Sequence, residues 1–364
     1  MKKEEIVSDF LARGKLLTPS ALSFLEPKNN IKELVDQEYT QMILTEKDFQ
    51  GEKIKIIKNL IEKPEELTPK DFLSFYTSKY EKMKSIIEKR LQKDFISLNK
   101  LDSFRNEVYI IGIVKDIEES NGKKKITLED TTTSLPIIFN QDPGLELDDV
   151  VAIKAISAGK VLFGKQVFYP DIPLRAPTKT NGKACFISDL HIDEAPPKDI
   201  EQFFRWFENQ DIKYLFIAGD TGDKKTLSKL VDNHCIEKKV FIAPGNMDND
   251  EEYPQLAEEY SSKNIISLSN PSMVELNGIK ILLIHDMNID MLKKRYLGIS
   301  KAMLKEDYLV LEEVPDIVHC GHTHQPHVMN YKSVTIVNSG SPLTDFRPVV
   351  IDFSTRDTQQ VVVK

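Results

Sequence analysis

Five short apolar runs, each of strand length and each stopping at polar residues of a particular kind, constrain this chain more than any other feature. Ala184–Ser188 stops at Asp189-Leu190-His191, and Tyr214–Ala218 stops at Gly219-Asp220. Val240–Ala243 runs into Pro244-Gly245-Asn246-Met247-Asp248, Ile281–Ile284 into His285-Asp286, and Ile317–Cys320 into Gly321-His322-Thr323-His324. Continuous apolar runs of this length read as buried strands. In an open α/β sheet, sites assemble where the carboxyl ends of strands meet, so five such ends predict one shared crevice at one sheet edge.

The side chains delivered there are Asp189, His191, Asp220, Asn246, His285, His322 and His324. Oxygen and imidazole donors in this mixture suit Mn²⁺, Fe²⁺ or Zn²⁺ better than Mg²⁺ or Ca²⁺. The set is too large for one ion. Two ions about 3.5–4 Å apart need a carboxylate between them, and the glycine-flanked Asp220 is the expected bridge. Charge agrees with a cation site: residues 1–180 carry 29 basic and 29 acidic side chains, whereas residues 181–364 carry 20 and 28 and hold all 7 histidines. His234, His319 and His327 complete no motif and read as structural or surface residues. A lone Gly-Asp or Gly-Asn would mean nothing; the ordered set of five does.

The rest of the chain is organised differently. Ile6, Phe10 and Leu11 have helical spacing that Gly14 can close, and Thr18-Pro19 supplies a cap and a first-turn proline for Ala21–Leu25, which predicts a helical module over 1–45. Asn29-Asn30 and Gly51 interrupt the next, charged stretch, and 46–103 reads as a helical connector. Within it, Thr68-Pro69-Lys70-Asp71 caps an amphipathic helix over about 69–92, with Phe72, Phe75, Tyr76, Met83, Ile86, Ile87 and Leu91 on the apolar stripe. The stripe is expected to pack on its own chain.

Residues 104–175 switch to short strands, near 107–115, 125–129, 135–140, 150–157 and 161–169, punctuated by Asn121-Gly122 and Ala158-Gly159. Five strands in this length predict a small barrel of the oligonucleotide-binding type (OB-fold). Pro170–Pro177 reads as a linker, and 181–364 is the α/β domain. Overall the fold class is multidomain. Cys185, Cys235 and Cys320 are odd in number and widely spaced, so they read as reduced core thiols in a cytosol. No apolar stretch approaches a membrane span, and the charged start Lys2-Lys3-Glu4-Glu5 does not resemble a secretion signal.

Taken in order, D-x-H, G-D, G-N-x-D, H and G-H-x-H resemble the calcineurin-like metallophosphoesterase superfamily, over about 184–345. The whole chain is similar to the small subunits of archaeal family D DNA polymerases. That similarity is carried by Gly14–Leu22, by Pro170–Pro173, by Met291–Leu297, by Glu306–Val310, by Val314–His322 and by Val337–Gly340. The resemblance implies one ion on Asp189, His191 and His324, a second on Asn246, His285 and His322, and Asp220 between them. It further implies 3′–5′ exonuclease activity that proofreads a primer 3′ end, with Asp220, Asn246 and His322 at the reacting phosphate. The implied partners are the large catalytic polymerase subunit, DNA and other replication factors in an archaeal nucleoid, with no membrane.

One position departs from that family's pattern. Its active nucleases carry a proton-donating His after the Asn of G-N-x-D, and this chain has Met247. A thioether has no proton to give. Met247 is expected to pack against the site, and the activity to be weakened, because general acid catalysis contributes about 10²–10⁴-fold. Asp248, His319 and His327 are the nearby substitutes. An acidic half with no long basic run grips DNA poorly, so a basic partner is expected and Lys293-Lys294-Arg295 is the best local phosphate contact. A non-catalytic platform and a stand-alone phosphodiesterase remain as alternatives.

Overall fold

The computed structural model describes residues 2–28, 31–36, 39, 42–46, 53–64, 66–101, 107–120, 122–157 and 161–362. The interruptions read at Asn29, Asn30, Gly51, Asn121, Ala158 and Gly159 lie outside these.

The first element is α1 (Lys3–Ala12), followed by β1 (Leu16–Leu17), α2 (Pro19–Leu25), α3 (Ile31–Val35) and β2 (Ile43–Leu44). Gly14 takes a φ of 72° where the chain leaves α1, and Thr18 caps α2 by accepting from the amide of Ala21. Ile6, Phe10, Ala21, Leu25, Ile31 and Leu44 form a core of their own. The short parallel pairing of β1 with β2 closes this unit and has no signature in its two-residue strands.

Strand β3 (Ile54–Lys58) lies where a helical connector is expected. Its lysine-interleaved run places Ile54 against the cluster of Val274 and Ile281 and Ile57 against that of Met273 and Leu282, while Ile56 stays exposed. Helix α4 (Pro69–Leu91) then starts at Thr68 with the expected reciprocal cap to Asp71. Its apolar stripe divides. Tyr80, Met83 and Ile87 pack between the barrel residues Ile111 and Ala152 and the distant Val310, while Phe72 and Tyr76 stay exposed.

Strands β4 (Glu107–Ser120), β5 (Lys123–Glu129), β6 (Ser134–Phe139), β7 (Val150–Ser157) and β8 (Leu162–Phe168) come next. They close into a barrel in the order β4-β5-β6-β8-β7, filled by Ile110, Val114, Ile126, Leu128, Ile137, Ile153 and Leu162.

The C-terminal half contains β9 (Lys183–Ile187), α5 (Pro197–Glu208), β10 (Tyr214–Ala218), α6 (Lys224–His234), β11 (Lys239–Ala243), β12 (Ile265–Ser267), β13 (Ser272–Leu276) and β14 (Ile279–Leu283). It continues with α7 (Ile289–Lys294), β15 (Ile317–Cys320), β16 (His327–Tyr331), β17 (Val334–Asn338), β18 (Val349–Asp352) and β19 (Thr358–Gln360). The five runs do not share the one open sheet expected from the sequence. There are two six-stranded sheets, ordered β12-β11-β10-β9-β18-β19 and β16-β17-β15-β14-β13-β3.

The physical reason is the alternation within each run. In β9, Phe186 faces the second sheet while Cys185 and Ile187 face the helices. Phe186, Phe216 and Phe241 stack in a row with centroid spacings of 5.3 and 4.7 Å, and they meet Val274, Ile281, Leu283, Ile317 and Val337 from the other sheet. Phe203, Phe204 and Phe207 of α5 with Leu227 and Val231 of α6 cover the opposite face. Each such side chain, fully buried, contributes about 1.5–3 kcal/mol. Strand β3 pairs antiparallel with β13, so the segment before α4 is stitched into the second sheet.

The segment read as a linker is also fastened down: Ile172 is buried beside Leu282 and Val318, and Arg175 pairs with Asp316 at 2.9 Å. All three cysteines are free and buried, and burial raises their thiols above the ordinary range. Among the described residues no helix is long and apolar enough to cross a membrane.

Candidate metal centre

Strands β9, β10 and β11 of one sheet and β14 and β15 of the other end at the same rim, and their trailing loops stay in step. The amide of Asp189 donates to the carbonyl of Gly219, that of His191 to Asp220, and that of Gly321 to His285. Contacts then cross between the sheets. His285 Nδ1 lies 2.8 Å from the carbonyl oxygen of Ala218, and the amide of His322 donates to Asp189 Oδ1 at 2.8 Å.

The seven side chains converge in two overlapping sets. His191 Nε2 lies 3.1 Å from His324 Nε2, and His324 Nε2 lies 3.5 Å from Asp189 Oδ1. On the other side, His285 Nε2 lies 3.1 Å from both Asp220 Oδ2 and Asn246 Oδ1, and His322 Nδ1 lies 2.9 Å from the same Asn246 oxygen. Asp189 joins both sets, grouped with His191 and His324 and also with Asp220 and His285. Asp220 reaches across as well, with Oδ2 4.0 Å from His191 Nε2. Asp189, Asp220 and His285 are buried, whereas Asn246 and His322 open to solvent.

The backbone at this rim is unusual. Asp189 (φ 54°), His191 (φ 43°), Asp220 (φ 49°), His322 (φ 67°) and His324 (φ 54°) all occupy the left-handed region. Non-glycine residues visit it in only a few per cent of cases, and such strain collects at functional sites. The glycines beside them serve close approach. A Cβ on Gly245 would sit 2.2 Å from Asp220 Oδ1, and one on Gly321 would sit 2.5 Å from Asp189 Oδ2.

Electrostatics favour a cation here. Burial raises the Asp189 carboxyl above its ordinary range against the pull of His285 and His324. Burial also works to raise Asp220, but its bond to His285 and the amide of Met247 hold it below the usual range. His285 is the converse: burial acts to lower it, and Asp220 and Asp189 outweigh that and bring it to about 9. Among the described residues Asp189 Oδ2 is buried with no hydrogen-bond partner, a state that costs about 1–3 kcal/mol unless something coordinates it. With Nδ1 of His285 directed at a carbonyl, Nε2 is the nitrogen left for a ligand role. The donor set and the unsatisfied carboxylate oxygen fit divalent ions.

Residues 183–359 match the family model described as the Calcineurin-like phosphoesterase superfamily domain. The DNA polymerase II small subunit of Archaeoglobus fulgidus is 28% identical over 361 residues, covering 79% of this chain and 74% of that one. The protein of the same name from Methanothermobacter thermautotrophicus is 27% identical over 377 residues, covering 82% and 78%. That from Thermoplasma acidophilum is 27% identical over 344 residues, covering 74% and 70%. The chain is a homologue of the archaeal DNA polymerase II small subunits.

In this small-subunit homologue Met247 does not pack against the site as expected. Gly245 brings the loop so close to Asp220 that the amide of Met247 donates to Asp220 Oδ1 at 2.8 Å, and its side chain is turned outward, 67% exposed. Asp248 is no proton donor in waiting, because its oxygens accept from the amides of Thr221 and Gly245 at 2.7 Å each, fastening two site loops together. His319 is buried with neither ring nitrogen bonded among the described residues, its ring meeting that of Phe186 in a T-shaped contact. His327 bonds the carbonyl of Gln325, and His234 pairs with Glu208.

Lys293-Lys294-Arg295 is not a free phosphate contact. Lys294 bonds Glu146 and Asp149 of the barrel segment, Arg295 donates to the carbonyls of Leu311 and Glu312, and Lys293 lies over the Tyr169 ring. The positively charged run ties the barrel to the two-sheet unit. Asn338, Ser339 and Ser341 support the site without belonging to any of its motifs. Asn338 donates to the carbonyl of Gly321, Ser339 accepts from the amide of Ser188, and Ser341 donates to the carbonyl of Asp189. Asn338 and Ser339 lie within Val337–Gly340, a block that carries the family resemblance, whereas Ser341, in the turn after β17, had no such mark.

Proposed function

We propose that this chain is the small subunit of an archaeal replicative DNA polymerase, and that its two-sheet unit is a phosphodiesterase centre acting as a 3′–5′ exonuclease on the primer end. The observation that supports it most is the convergence of Asp189, His191, Asp220, Asn246, His285, His322 and His324 at one rim, in a chain with polymerase small-subunit relatives along most of its length.

On this reading Asp189, His191 and His324 hold one Mn²⁺, Asn246, His285 and His322 hold another, Asp220 lies between them, and Fe²⁺ or Zn²⁺ are the alternative ions. The ions would supply Lewis acidity toward phosphate oxygens and make a nearby water more acidic. The chain's own part is positioning. Met247 holds Asp220 through its amide, the carbonyl of Ala218 orients His285, and Asn246 Oδ1 faces two imidazoles at once. At the position where a leaving oxygen would need a proton, Met247 offers none, so hydrolysis is slow.

The barrel is read as an OB-fold and the chain as units 1–45, 46–103, 104–175 and 181–364, the second of which lends β3 to a sheet of the fourth. With Lys294 held by Glu146 and Asp149, Arg295 by backbone carbonyls and Lys293 over Tyr169, the acidic C-terminal half depends on the large catalytic subunit for its hold on DNA. The platform reading has one observation in its favour, the outward Met247. Both are tested by isolating the chain with whatever co-purifies from its host and following a mismatched primer with Mn²⁺. Shortening that Asp220→Ala abolishes supports the exonuclease. No shortening under Mn²⁺, Fe²⁺ or Zn²⁺ rejects it, and elution of the chain without a polymerase subunit rejects the partner.

A further inference from the structure

Two buried amides outside every motif form a continuous hydrogen-bonded path between two of the converging residues. The amide of His285 donates to Asn270 Oδ1 at 3.2 Å. Asn270 Nδ2 donates to Gln255 Oε1 at 2.9 Å. Gln255 Nε2 then donates to the carbonyl of Gly245 at 2.9 Å and to Asn249 Oδ1 at 3.1 Å. Gln255 and Asn270 also exchange both backbone bonds, at 2.8 and 3.0 Å. The two side chains are 4% and 3% exposed.

The chemistry of the path fixes its direction. A backbone N–H at one end requires an oxygen from Asn270, which presents its NH₂ to Gln255. Gln255 must therefore turn its oxygen inward and its NH₂ toward the Gly245 carbonyl. The path begins at the backbone of His285 and ends on the residue before Asn246. Those are the two side chains that meet at 3.1 Å. They come from different sheets, so no strand ladder sets that distance. Burying two primary amides is costly unless each finds partners, and here every nitrogen and oxygen of the two side chains has at least one.

We infer that Gln255 and Asn270 are positioning residues that set Asn246 against His285 and so tune the affinity of the second ion site, leaving the site of Asp189, His191 and His324 unaffected. This rests on the two-ion reading proposed for the centre. Residues that orient ligands from behind typically change metal affinity by about 10–100-fold when replaced.

The test is Mn²⁺ titration of the full chain by calorimetry, with the electron paramagnetic resonance signal of coupled against isolated Mn²⁺ as a second readout. The unaltered chain is expected to bind two equivalents and give a coupled signal; fewer than two would fail the two-ion reading itself. Asn270→Ala and, separately, Gln255→Met are expected to keep one equivalent at unchanged affinity, weaken the other about 10–100-fold, and yield isolated Mn²⁺. Gln255→Glu places an oxygen against the Gly245 carbonyl and is expected to weaken the same equivalent, while conservative in size. If a folded variant binds both equivalents as the unaltered chain does, or loses both alike, the inference is overturned. Should Asn270→Ala not fold, the two Gln255 variants carry the same decision.

Discussion

Nε2 of His191 and Nε2 of His324 face each other across 3.1 Å, with Asp189 Oδ1 3.5 Å from the second. Two neutral imidazoles can share only one proton between such nitrogens, so the arrangement gains when a cation takes both lone pairs. His324→Ala is therefore expected to remove one of two Mn²⁺ equivalents. In the unaltered chain, Mn²⁺ at 100 times its dissociation constant is expected to add about 2.7 kcal/mol per site to unfolding. Urea denaturation with and without Mn²⁺ checks both, and equal stabilisation of the two proteins would contradict them.

Gly245 touches Asp220 along its whole near side, since a Cβ there would lie 2.2 Å from Oδ1 and 2.5 Å from the backbone nitrogen. Neither is the flexible end of a long side chain. Gly245→Ala is expected to displace Asp220, cost about 1–3 kcal/mol of stability, and weaken Mn²⁺ binding. A thermal melt and a Mn²⁺ titration of that variant check this, and undiminished metal affinity would show that the contact is slack.

The site was legible because its chemistry sits at the ends of uniform apolar runs. Asp189, Asp220 and His285 each come after a stretch that can only be a buried strand, so motif and fold announced each other. The division of those strands between two sheets was not legible from runs that look alike: whether Phe186 faces Val274 and Ile281 of a second sheet or a helix depends on packing partners far along the chain. Supports such as Gln255 and Asn270 are single polar residues whose partners lie in other loops, and nothing local distinguishes them from surface residues; Asp248 was visible in its motif, but its role of fastening two loops was not. Strand β3 was hidden among charges because its isoleucines do not keep a period: Ile54 and Ile57 pack on opposite faces of the sheet while Ile56 stays exposed. Lys293-Lys294-Arg295 looked free because Glu146 and Asp149, which occupy Lys294, come from the barrel segment.

His319 links the core to pH. Burial depresses its imidazole to about 3, whereas the unfolded chain titrates near the ordinary value of about 6.5. Between those values the unfolded chain holds a proton that the folded chain refuses, so acidification favours unfolding. The contribution amounts to about 2 kcal/mol lost between pH 7 and pH 5. His319→Leu keeps the volume and removes the proton. Urea denaturation at the two pH values is expected to show a smaller acid loss in the variant by about that amount, and equal losses would mean that His319 is protonated in the folded protein.

Met247 offers the sharpest discrimination between a slow enzyme and a platform. Its amide is fixed on Asp220 Oδ1 while its side chain is 67% exposed at the rim, so a histidine there needs no repacking. Met247→His would restore a titratable proton donor beside the phosphate position. If the centre binds a primer end, the variant in complex with its polymerase partner is expected to shorten mismatched primers about 10²-fold faster or more. Its rate should fall at alkaline pH as the imidazole loses its proton, a limb the unaltered protein lacks. Single-turnover assays across pH 6–9 measure both. An unchanged rate, with two Mn²⁺ still bound, would mean that substrate does not reach the rim and that the ions serve the fold alone.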